Sequence, residues 1–599
     1  MNIWIAKLGR EPFSVERIQS LSETVSEYTG TQQSVSFQYK SGFIHYLSYC
    51  TNERSKIYHF DNQESILGYS GLLVGNGSKN IDLRKAEYID NAISDLSDVS
   101  EFATGQFALF KASDGNFECI VDNLGSYKVF YYSVNQTVFV TNFPKFFRIL
   151  KSTENNIEFY VHYIAASGTF GTKTDDLNVF SLPEFGRLQW DKFNGLKISQ
   201  YKSLSDLVNN HTPYEALVKN AATRMQGASK YLTNYHKVAL SMSGGFDSRL
   251  ILRSFWDLDN ESVSCFSFPD NLQDVKLAKK ATESQGLIHN TLQASPLPTF
   301  EEMFQYSEKV LTPFRNFDNV LGFSYKKDFE NLFADNEYVI LNGNGGDIDD
   351  YGVKKFKMLD QLEGQEAIHS VIKKIVNKDI LTPEGYEKIC NNLQEHYENK
   401  YGLFLSNRGT NHKLRLFYFI FDRFGSYHGY KFFLNYFDNN YFLPFANVDF
   451  IKAALSQDRP ERLRNNKHSL HKELNDLFTN GNDKVIPFTG SLHWDTGYLK
   501  RVQHNIQNKI KKKFSGYLPQ RPKKYSSQLR TEFYNQNLEE YLEIFHSKPN
   551  SSIWDYLDKK KITSHLENVD YEYKNGGELL SKIAPLLYSN ELNGYPEGR

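Results

Sequence analysis

The feature that most constrains the fold is an alternation of strand and helix patterns between residues 236 and 343. Short apolar runs typical of buried strands are followed by stretches whose apolar residues have helical spacing. The predicted strands are HKVALSM (236–242), ESVSCFSF (261–268), LIHNTL (287–292) and EYVILNG (337–343), and the predicted helices are DSRLILRSFWDL (247–258) and QDVKLAKKATESQG (273–286). Such alternation is typical of βαβ units with parallel strands, whose ligands bind where strand carboxyl ends meet helix N-termini.

A loop rich in glycine and serine, SGGFDS, stands at the first of these strand-to-helix junctions. Gly244 and Gly245 let backbone N–H groups approach a ligand without a Cβ in the way. With the hydroxyls of Ser243 and Ser248 and the helix N-terminus that follows, they predict a pocket for a negatively charged group. Asp247 alone would repel phosphates, so its presence indicates Mg²⁺, which prefers carboxylate and phosphate oxygens. The loop is not a Walker A motif, because the GxxxxGK[ST] spacing is missing.

The chain on either side of this region has a different pattern. Residues 1–200 carry short alternating segments with turn signals, such as the DG and NQ pairs within residues 107–142, and predict mainly antiparallel sheet. The polar stretch SLSDLVNNHTPYE predicts a linker, and from about residue 355 onward the pattern is mostly helical. Because 599 residues exceed the usual size of one core, we expect two domains, residues 1–205 and residues 206–599.

Composition and charge exclude several functional classes. The formal net charge of −2 provides no overall field that would attract the chain to nucleic acid or to an anionic membrane. The four cysteines lie far apart without CxxC pairs, which indicates neither zinc nor a disulfide framework. No apolar run approaches the roughly 18 residues of a membrane helix, and the N-terminus does not resemble a signal peptide, so we expect a cytoplasmic protein. The basic stretch 508–524 is typical of a solvated surface, with an anionic partner as the alternative.

The sequence SGGFDS resembles the SGGxDS pyrophosphate loop of ATP-pyrophosphatase-type enzymes, in the form found in asparagine synthetases, β-lactam synthetases and lasso-peptide cyclases. A second segment, LNGNGGDIDDYG (341–352), resembles the SGEGxDE loop of that family. This resemblance implies that Asp347 supplies a second magnesium ligand beside Asp247. A glycine turn that ends a strand is the alternative explanation. We call residues 243–248 the first loop and residues 342–347 the second loop.

Further segments extend the resemblance toward the C-terminus. The matching segments are QDVKLAKKATESQGLIH (273–289), similar to the family's helix after the second strand; FDRFG (421–425) and LPFAN (443–447), similar to its DR and PFLD stretches; and NNKHSLHKEL (465–474), similar to its K-x-x-L-R helix start. The last match implies that Lys467 is the catalytic lysine, with Lys472 as the fallback.

The N-terminal part resembles the glutaminase-type, Ntn-hydrolase-like domain of asparagine synthetases. The matching segments are TGQFALF (104–110), VDNLGSYKVFYY (121–132) and FGTKTDDLNVFSLPEFG (170–186). Members that use glutamine carry a nucleophilic cysteine at position 2, where this chain has Asn2. Because Asn2 offers neither a thiol nor a hydroxyl, we expect no glutamine hydrolysis and a scaffold or binding role for this domain. The resemblance implies an α+β N-terminal domain with antiparallel sheets, then an α/β synthetase domain with a parallel sheet and a helical C-terminal part.

The acceptor side departs from the family pattern, whereas the ATP side keeps it. The residues that replace the acidic or basic groups of asparagine synthetases are Asn344, Ile348, Asn440, Phe442 and Asn447. A glutamate can accept a proton from an attacking amine, but an asparagine side chain cannot. These departures predict a substrate other than the usual aspartate and ammonia.

The predicted activity is ATP-dependent amide-bond formation through an acyl-adenylate, with ATP and Mg²⁺ bound at the two loops. The predicted site residues are Leu240, Ser243, Gly244, Gly245, Asp247, Ser248, Phe268, Asn342 and Gly343 for ATP; Asp247 and Asp347 for the metal; and Lys467, Asp247 and Asp347 for catalysis. We expect a small-molecule or peptide carboxylate and amine as substrates, as in lasso-peptide or lactam cyclisation. A partner protein or a second copy of the chain is left open.

Two other functions remain open from the sequence. One is amidation of aspartate with ammonia, or of a polysaccharide or another metabolite. The other is a binding or scaffold protein on an inactive synthetase fold, which would explain Asn2 and the altered acceptor positions together. Retention of Asp247 and Asp347 favours the enzyme, because a retired site has no physical need for an acid beside a phosphate loop. Glu384, Glu387 and several tyrosines are unranked candidates for the general base.

Overall fold

The structure is a computed structural model of the 599-residue chain. It describes residues 2–29, 37–41, 43–50, 65–79, 81–166, 168, 171–208, 212–258, 261–269, 271–303, 320–333, 338–349, 362, 364–402, 417, 420–422, 440–456, 469–483, 486–488, 503, 532–547, 552–567 and 582–583.

The described strands form three sheets. They are β1 (Asn2–Leu8), β2 (Phe37–Ser41), β3 (Ile44–Cys50), β4 (Ser65–Gly75), β5 (Ala103–Ser113), β6 (Asn116–Val121), β7 (Phe130–Val134), β8 (Thr137–Thr141), β9 (Phe180–Ser181), β10 (Gly186–Asp191), β11 (Gly195–Gln200), β12 (Lys237–Ser241), β13 (Val263–Ser267), β14 (Ile288–Thr291), β15 (Tyr338–Leu341) and β16 (Asn440–Phe442). The first sheet has the order β2-β3-β1-β8-β7-β9, the second β11-β10-β6-β5-β4 and the third β14-β13-β12-β15-β16.

The described helices surround these sheets. They are α1 (Val15–Thr29), α2 (Ala86–Ala92), α3 (Val99–Phe102), α4 (Lys145–Leu150), α5 (Ile157–Ala166), α6 (Ser205–Val208), α7 (Tyr214–Tyr235), α8 (Phe246–Arg253), α9 (Leu272–Glu283), α10 (Val320–Leu332), α11 (Gly364–Ile375), α12 (Pro383–Tyr401), α13 (Val448–Ser456), α14 (Ser469–Thr479), α15 (Leu538–Ser547) and α16 (Lys559–Glu567). Within the described ranges, no helix is long and apolar enough to cross a membrane.

The first two sheets are antiparallel, and an apolar cluster between them shows that they pack face to face. Alternate residues of a strand point to opposite sides of its sheet, so only one set belongs to this cluster. Trp4 and Ala6 of β1 belong to an apolar cluster that also contains Phe110 of β5, whereas Ile3 and Ile5 belong to the other cluster, together with side chains of helices α1 and α4. The prediction of antiparallel sheet for this part is therefore confirmed. Turns end the hairpins as predicted: Gly115 follows β5, and Asn135-Gln136 join β7 to β8.

The third sheet is parallel throughout, as the strand and helix alternation predicts. Strands β12 to β15 lie within the four predicted segments, and helices α8 and α9 occupy two intervening connections. The order places β12 between β13 and β15. The carboxyl ends of β12 and β15 are therefore neighbours, which brings the first and second loops to the same edge of the sheet.

Strand β16 was not predicted, because the sequence pattern after residue 355 is mostly helical. This three-residue strand pairs with β15 at the sheet edge. A strand so short has too few residues to show a period of two, so only its pairing with β15 makes it a strand.

The predicted linker is more structured than its polar composition suggested. Its residues Ser205–Val208 form the short helix α6, and Leu204 and Leu207 are buried. Helix α7 then packs closely against the end of β4: a Cβ on Gly227 would lie 2.2 Å from the Asn76 carbonyl oxygen. The described residues between the second and third sheets therefore pack against their neighbours instead of forming an open linker.

Candidate active site

The first loop turns tightly from β12 into α8 through contacts between its own polar groups. The Ser243 N–H donates to Ser248 Oγ (3.1 Å), and the Gly245 N–H donates to Ser243 Oγ (3.2 Å). The two hydroxyl oxygens lie 3.0 Å apart. Ser243 is exposed, whereas Ser248 is buried. The predicted serines and glycines are therefore brought together, with the two serines bracing the turn.

Asp247 lies in the first turn of α8 and faces the second loop. A Cβ on Gly346 would lie 2.3 Å from Asp247 Oδ1, and a Cβ on Gly343 would lie 3.0 Å from the Asp247 Cβ. Only glycine, which has no Cβ, leaves space for the carboxylate at Gly346. The two loops, read from the sequence as one site, are therefore in direct contact around Asp247.

The second loop begins with a compact turn after β15. The Asn342 side chain accepts a hydrogen bond from the Asn344 N–H (3.0 Å), and Gly345 has φ +91°, a conformation that favours glycine. Asp347 follows in the 3₁₀ turn Gly346–Asp349. Its side chain lies outside the described residues, so a cation shared by Asp247 and Asp347 stays a prediction.

The predicted adenine contacts lie at the same edge of the parallel sheet. Leu240 is fully buried in β12, between Cys265 and Leu341 of the flanking strands, so its side chain is not accessible to a ligand. Phe268 follows β13, is 38% exposed and packs against Tyr325 with ring centroids 5.1 Å apart. Asn342 and Gly343, directly after β15, are partly exposed.

The predicted catalytic lysine, Lys467, lies outside the described residues. The fallback, Lys472, pairs with Asp476 on its own helix α14 (2.7 Å). The candidate bases Glu384 and Glu387 are exposed on α12. This placement gives no ground for ranking either of them.

The described residue that contacts Asp247 across the fold is His471, which the sequence analysis did not single out. His471 Nε2 lies 2.9 Å from Asp247 Oδ1. The His471 side chain is 1% exposed, whereas that of Asp247 is 31% exposed. A carboxylate only accepts hydrogen bonds, so Nε2 carries the proton and donates. The one indication in the sequence is that His471 lies in NNKHSLHKEL, the segment that was matched to the family for Lys467 and Lys472.

Two buried arginines of α8 tie the same helix to the chain after α14. Arg249 donates to the carbonyl oxygens of Ile486 (2.6 Å) and Pro487 (3.0 Å). Arg253 forms a buried ion pair with Asp483 (2.6 Å). Burial, and then the positive charge of Arg253, lower the pKa of Arg249 to about 10. The guanidinium therefore stays charged at neutral pH, and helix α8 is held firmly.

Several altered acceptor positions have structural roles. Ile348 is fully buried beneath the second loop, and Phe442 is buried in β16. Asn447 caps helix α13, because its Oδ1 accepts hydrogen bonds from the N–H groups of Asp449 (2.8 Å) and Phe450 (3.3 Å). Asn344, by contrast, is exposed. Packing and capping thus account for three of the departures from the family pattern.

The residues around Asp247 can be compared with the ligands that Mg²⁺ requires. Within the described residues, no three His, Cys, Asp or Glu side chains form a group that could hold a metal. Mg²⁺ needs no such group, because it keeps several waters and binds one or two carboxylates together with substrate phosphates. The partly exposed carboxylate of Asp247, beside the backbone of the second loop, fits that kind of binding.

A buried ion network joins the region of the antiparallel sheets to the helices. Lys400 of α12 contacts Glu184 (3.2 Å) and Asp422 (3.0 Å), and Asp422 also accepts from Tyr401 (2.8 Å) and faces His396 (3.1 Å). Burial acts to raise the pKa of Asp422, but the charges of Lys400 and His396 hold it at about 2. The DR-like segment therefore contributes a carboxylate to the packing between regions.

The start of β1 carries no nucleophile. Asn2 is the first residue of β1 and lies opposite Cys50 in the register with β3. Cys119 is fully buried, and burial raises the pKa of its thiol, so it is unsuited to nucleophilic attack. The absence of glutamine hydrolysis stays a prediction from the sequence.

No protein-family model matches the chain, and no curated protein matches it. Among solved structures it is similar to glutamine phosphoribosylpyrophosphate amidotransferase from B. subtilis complexed with ADP and GMP, with 8% identity, 57% of this chain and 81% of that chain covered, and a TM-score of 0.22. It is also similar to a structure described as the allosteric regulatory enzyme of purine biosynthesis, with 8% identity, 40% and 54% covered, and a TM-score of 0.21. Scores this low carry no argument about fold or function. The resemblance to asparagine synthetases therefore rests on the sequence motifs and stays a prediction.

Proposed function

We propose that this protein is an ATP-dependent ligase that forms an amide bond through an acyl-adenylate and does not hydrolyse glutamine. The observation that carries the proposal is the contact between the two loops at the carboxyl ends of β12 and β15. Asp247 of the first loop lies against Gly343 and Gly346 of the second. Two glycine-rich loops with a carboxylate between them suit a triphosphate that carries Mg²⁺ better than they suit a bare turn.

In the proposed reaction, a substrate carboxylate attacks the α-phosphorus of ATP, and pyrophosphate leaves beside the first loop. An amine then attacks the acyl carbon of the adenylate, and AMP departs. Ser243 and the backbone around Gly244 would bind the pyrophosphate. Lys467 would stabilise negative charge on the acyl and phosphate oxygens.

Asp247 and Asp347 are the residues that would hold Mg²⁺. When bound, the ion would supply positive charge that offsets charge developing on the phosphate oxygens. The contribution of this chain is to hold the Asp247 carboxylate against Gly346, with α8 fixed by its buried arginines.

The substrates follow from the altered acceptor positions. Asn344 is exposed on the second loop and cannot accept a proton as a glutamate would, which favours a larger carboxylate and amine, such as a peptide or a metabolite that is cyclised. We also propose that residues 1–205 act as a scaffold or binding unit and that residues 206–599 carry the ligase.

The test is calorimetric titration of the protein with ATP in the presence and absence of Mg²⁺, for the wild type, Asp247→Asn and Gly346→Ala. We expect Mg²⁺-dependent binding by the wild type and its loss in both variants, because one lacks the carboxylate charge and the other carries a Cβ that displaces it. The matched controls are Asp114→Asn, in the exposed β5–β6 turn, and Gly402→Ala, which has open space around its Cβ.

A coupled assay then measures pyrophosphate and AMP release over a panel of amino acids and peptides. Release that depends on a carboxylate and is absent in Asp247→Ala supports the ligase. A wild-type protein that binds no nucleotide, or that releases ADP and phosphate instead, overturns the proposal.

A further inference from the structure

We infer that His471 is the positioning residue that fixes the Asp247 carboxylate in the orientation needed for a Mg²⁺–nucleotide complex. This inference rests on the function proposed above. It assigns a role to a side chain that does not itself touch the substrate. The role is carried by the 2.9 Å contact between His471 Nε2 and Asp247 Oδ1.

The imidazole is itself held in place from several sides. The His471 side chain is 1% exposed. The centroid of its ring lies 5.8 Å from that of Phe445 and 6.2 Å from that of Phe450. A ring enclosed in this way has little rotamer freedom, so its proton points in one direction. The packing of α13 and of the turn Pro444–Ala446 therefore determines where the donor lies.

The carboxylate, in contrast, needs an external constraint. The Asp247 side chain is 31% exposed, and an aspartate at that exposure in the first turn of a helix can adopt more than one rotamer. Gly346 limits it on one side, and His471 holds Oδ1 on another. This leaves Oδ2 as the oxygen available to a cation or its waters.

Helix α14 can impose this constraint because the chain that follows it is also fastened to α8. Arg249 binds the carbonyl oxygens of Ile486 and Pro487, and the Phe246 ring stacks on Phe488 with centroids 3.9 Å apart. Arg253 binds Asp483, between α14 and that segment. Among the described residues, the His471 contact therefore adds to the polar contacts that Arg249 and Arg253 make between α8 and the chain after α14.

Residues that orient a metal ligand alter metal affinity without touching the substrate. Their substitution typically weakens binding by about 10- to 100-fold. We expect His471→Ala to weaken ATP binding by about that factor when Mg²⁺ is present and to leave Mg²⁺-free binding unchanged. His471→Gln should restore most of the affinity, because its amide N–H₂ reaches the place of Nε2.

The experiment compares ATP titrations over a range of Mg²⁺ concentrations, with urea unfolding of each variant beside them. The matched control is His396→Ala, which removes another histidine Nε2 that faces a carboxylate, at 3.1 Å from Asp422. That variant should lower stability and leave the Mg²⁺ dependence unchanged. Combining His471→Ala with Asp247→Asn should weaken binding no further than Asp247→Asn alone, because His471 acts through Asp247.

The outcomes separate the inference from the proposed function. A wild type that binds no Mg²⁺–ATP overturns both. A wild type that binds, together with a His471→Ala variant of unchanged Mg²⁺ dependence, overturns the role of His471 alone. If His471→Ala does not fold, His471→Phe keeps the ring and removes the donor, and wild-type binding by that variant overturns the inference equally.

Discussion

The antiparallel sheets and the parallel sheet use their polar residues in opposite ways. In the antiparallel region, buried Asp122 accepts hydrogen bonds from the N–H groups of Leu124, Ser126 and Tyr127, so it serves the fold itself. At the end of the parallel sheet, Ser243 is exposed and Asp247 is partly exposed. The comparison teaches that a polar residue can bind a ligand directly only where the fold leaves it accessible.

Both regions contain sequence motifs that resemble the same family, yet only one has the form of a site. The motif VDNLGSYKVFYY supplies Asp122 and Tyr127 to an internal network in which Asn142 donates to the Tyr127 hydroxyl (2.9 Å). The first loop instead borders the second loop, at a sheet edge where ligands of parallel sheets bind. The two motifs therefore differ in burial: Asp122 and Tyr127 are enclosed in the fold, whereas Ser243 is exposed.

The largest expected effect concerns the ion network where the two regions meet. Lys400→Met leaves Glu184 and Asp422 buried without their cation, and we expect a loss of about 3–5 kcal/mol in the free energy of unfolding. Lys388→Met is the matched control, because Lys388 lies on the same helix and pairs with Glu158 at an exposed position. It should lose about 0–1 kcal/mol. If urea unfolding shows equal losses of free energy for Lys400→Met and Lys388→Met, the buried network contributes no more to stability than an exposed ion pair, and this prediction is wrong.

The second effect is the pH dependence of the same network. The folded pKa of Asp422 is about 2, below its ordinary value, so its stabilisation is fully present above about pH 4 and is lost as the pH falls toward 2. The expected loss is about 2 kcal/mol. Urea unfolding along this pH range should show a shallower decline for Asp422→Asn than for the wild type. Parallel declines would contradict the pKa assignment.

The smallest effects are expected from two single variants, one of which should mainly change stability and the other mainly Mg²⁺–ATP affinity. Asn142 accepts from the Trp4 N–H (2.9 Å) and is buried, so Asn142→Ala should lose about 1–2 kcal/mol and keep its affinity for Mg²⁺–ATP. Ser243→Ala should lose less stability, about 0.5 kcal/mol, because water can replace Oγ at this exposed position as the partner of the Gly245 N–H. It should weaken Mg²⁺–ATP binding about tenfold. Urea unfolding and calorimetry on the same samples provide both readings. Equal stability losses in both variants, with Mg²⁺–ATP affinity unchanged in both, would show that Ser243, like Asn142, serves only the fold.

Much of the fold followed from local pattern. The apolar runs around Val238 and Val339 predicted buried strands, and the glycine-rich junction predicted the turn into α8. The two-residue loop at Asn135-Gln136 was visible because Asn tolerates positive φ, which both residues adopt here. Strand β16 was missed because a three-residue strand has no detectable period.

The site was predictable only in part, for a related reason. Glycines and acids at strand ends identified the two loops, since parallel strands bring their carboxyl ends together. The histidine donor to Asp247 was not predictable, because it is 224 positions away in sequence and lies on a helix whose pattern is that of any amphipathic segment. The roles of Asn447 and Ile348, as a cap and a core residue, also appeared only when their neighbours were known.

The sequence by itself determined the antiparallel and parallel parts of the fold and the glycine-rich loops, because periodicity and turn chemistry act over a few neighbouring residues. The tertiary structure decided that His471 meets Asp247, that Arg249 and Arg253 anchor α8, and that Lys400 joins two regions. Those contacts depend on how whole helices pack against a sheet. Packing of that kind sums many weak interactions between residues distant in sequence, and no short stretch of the chain encodes it.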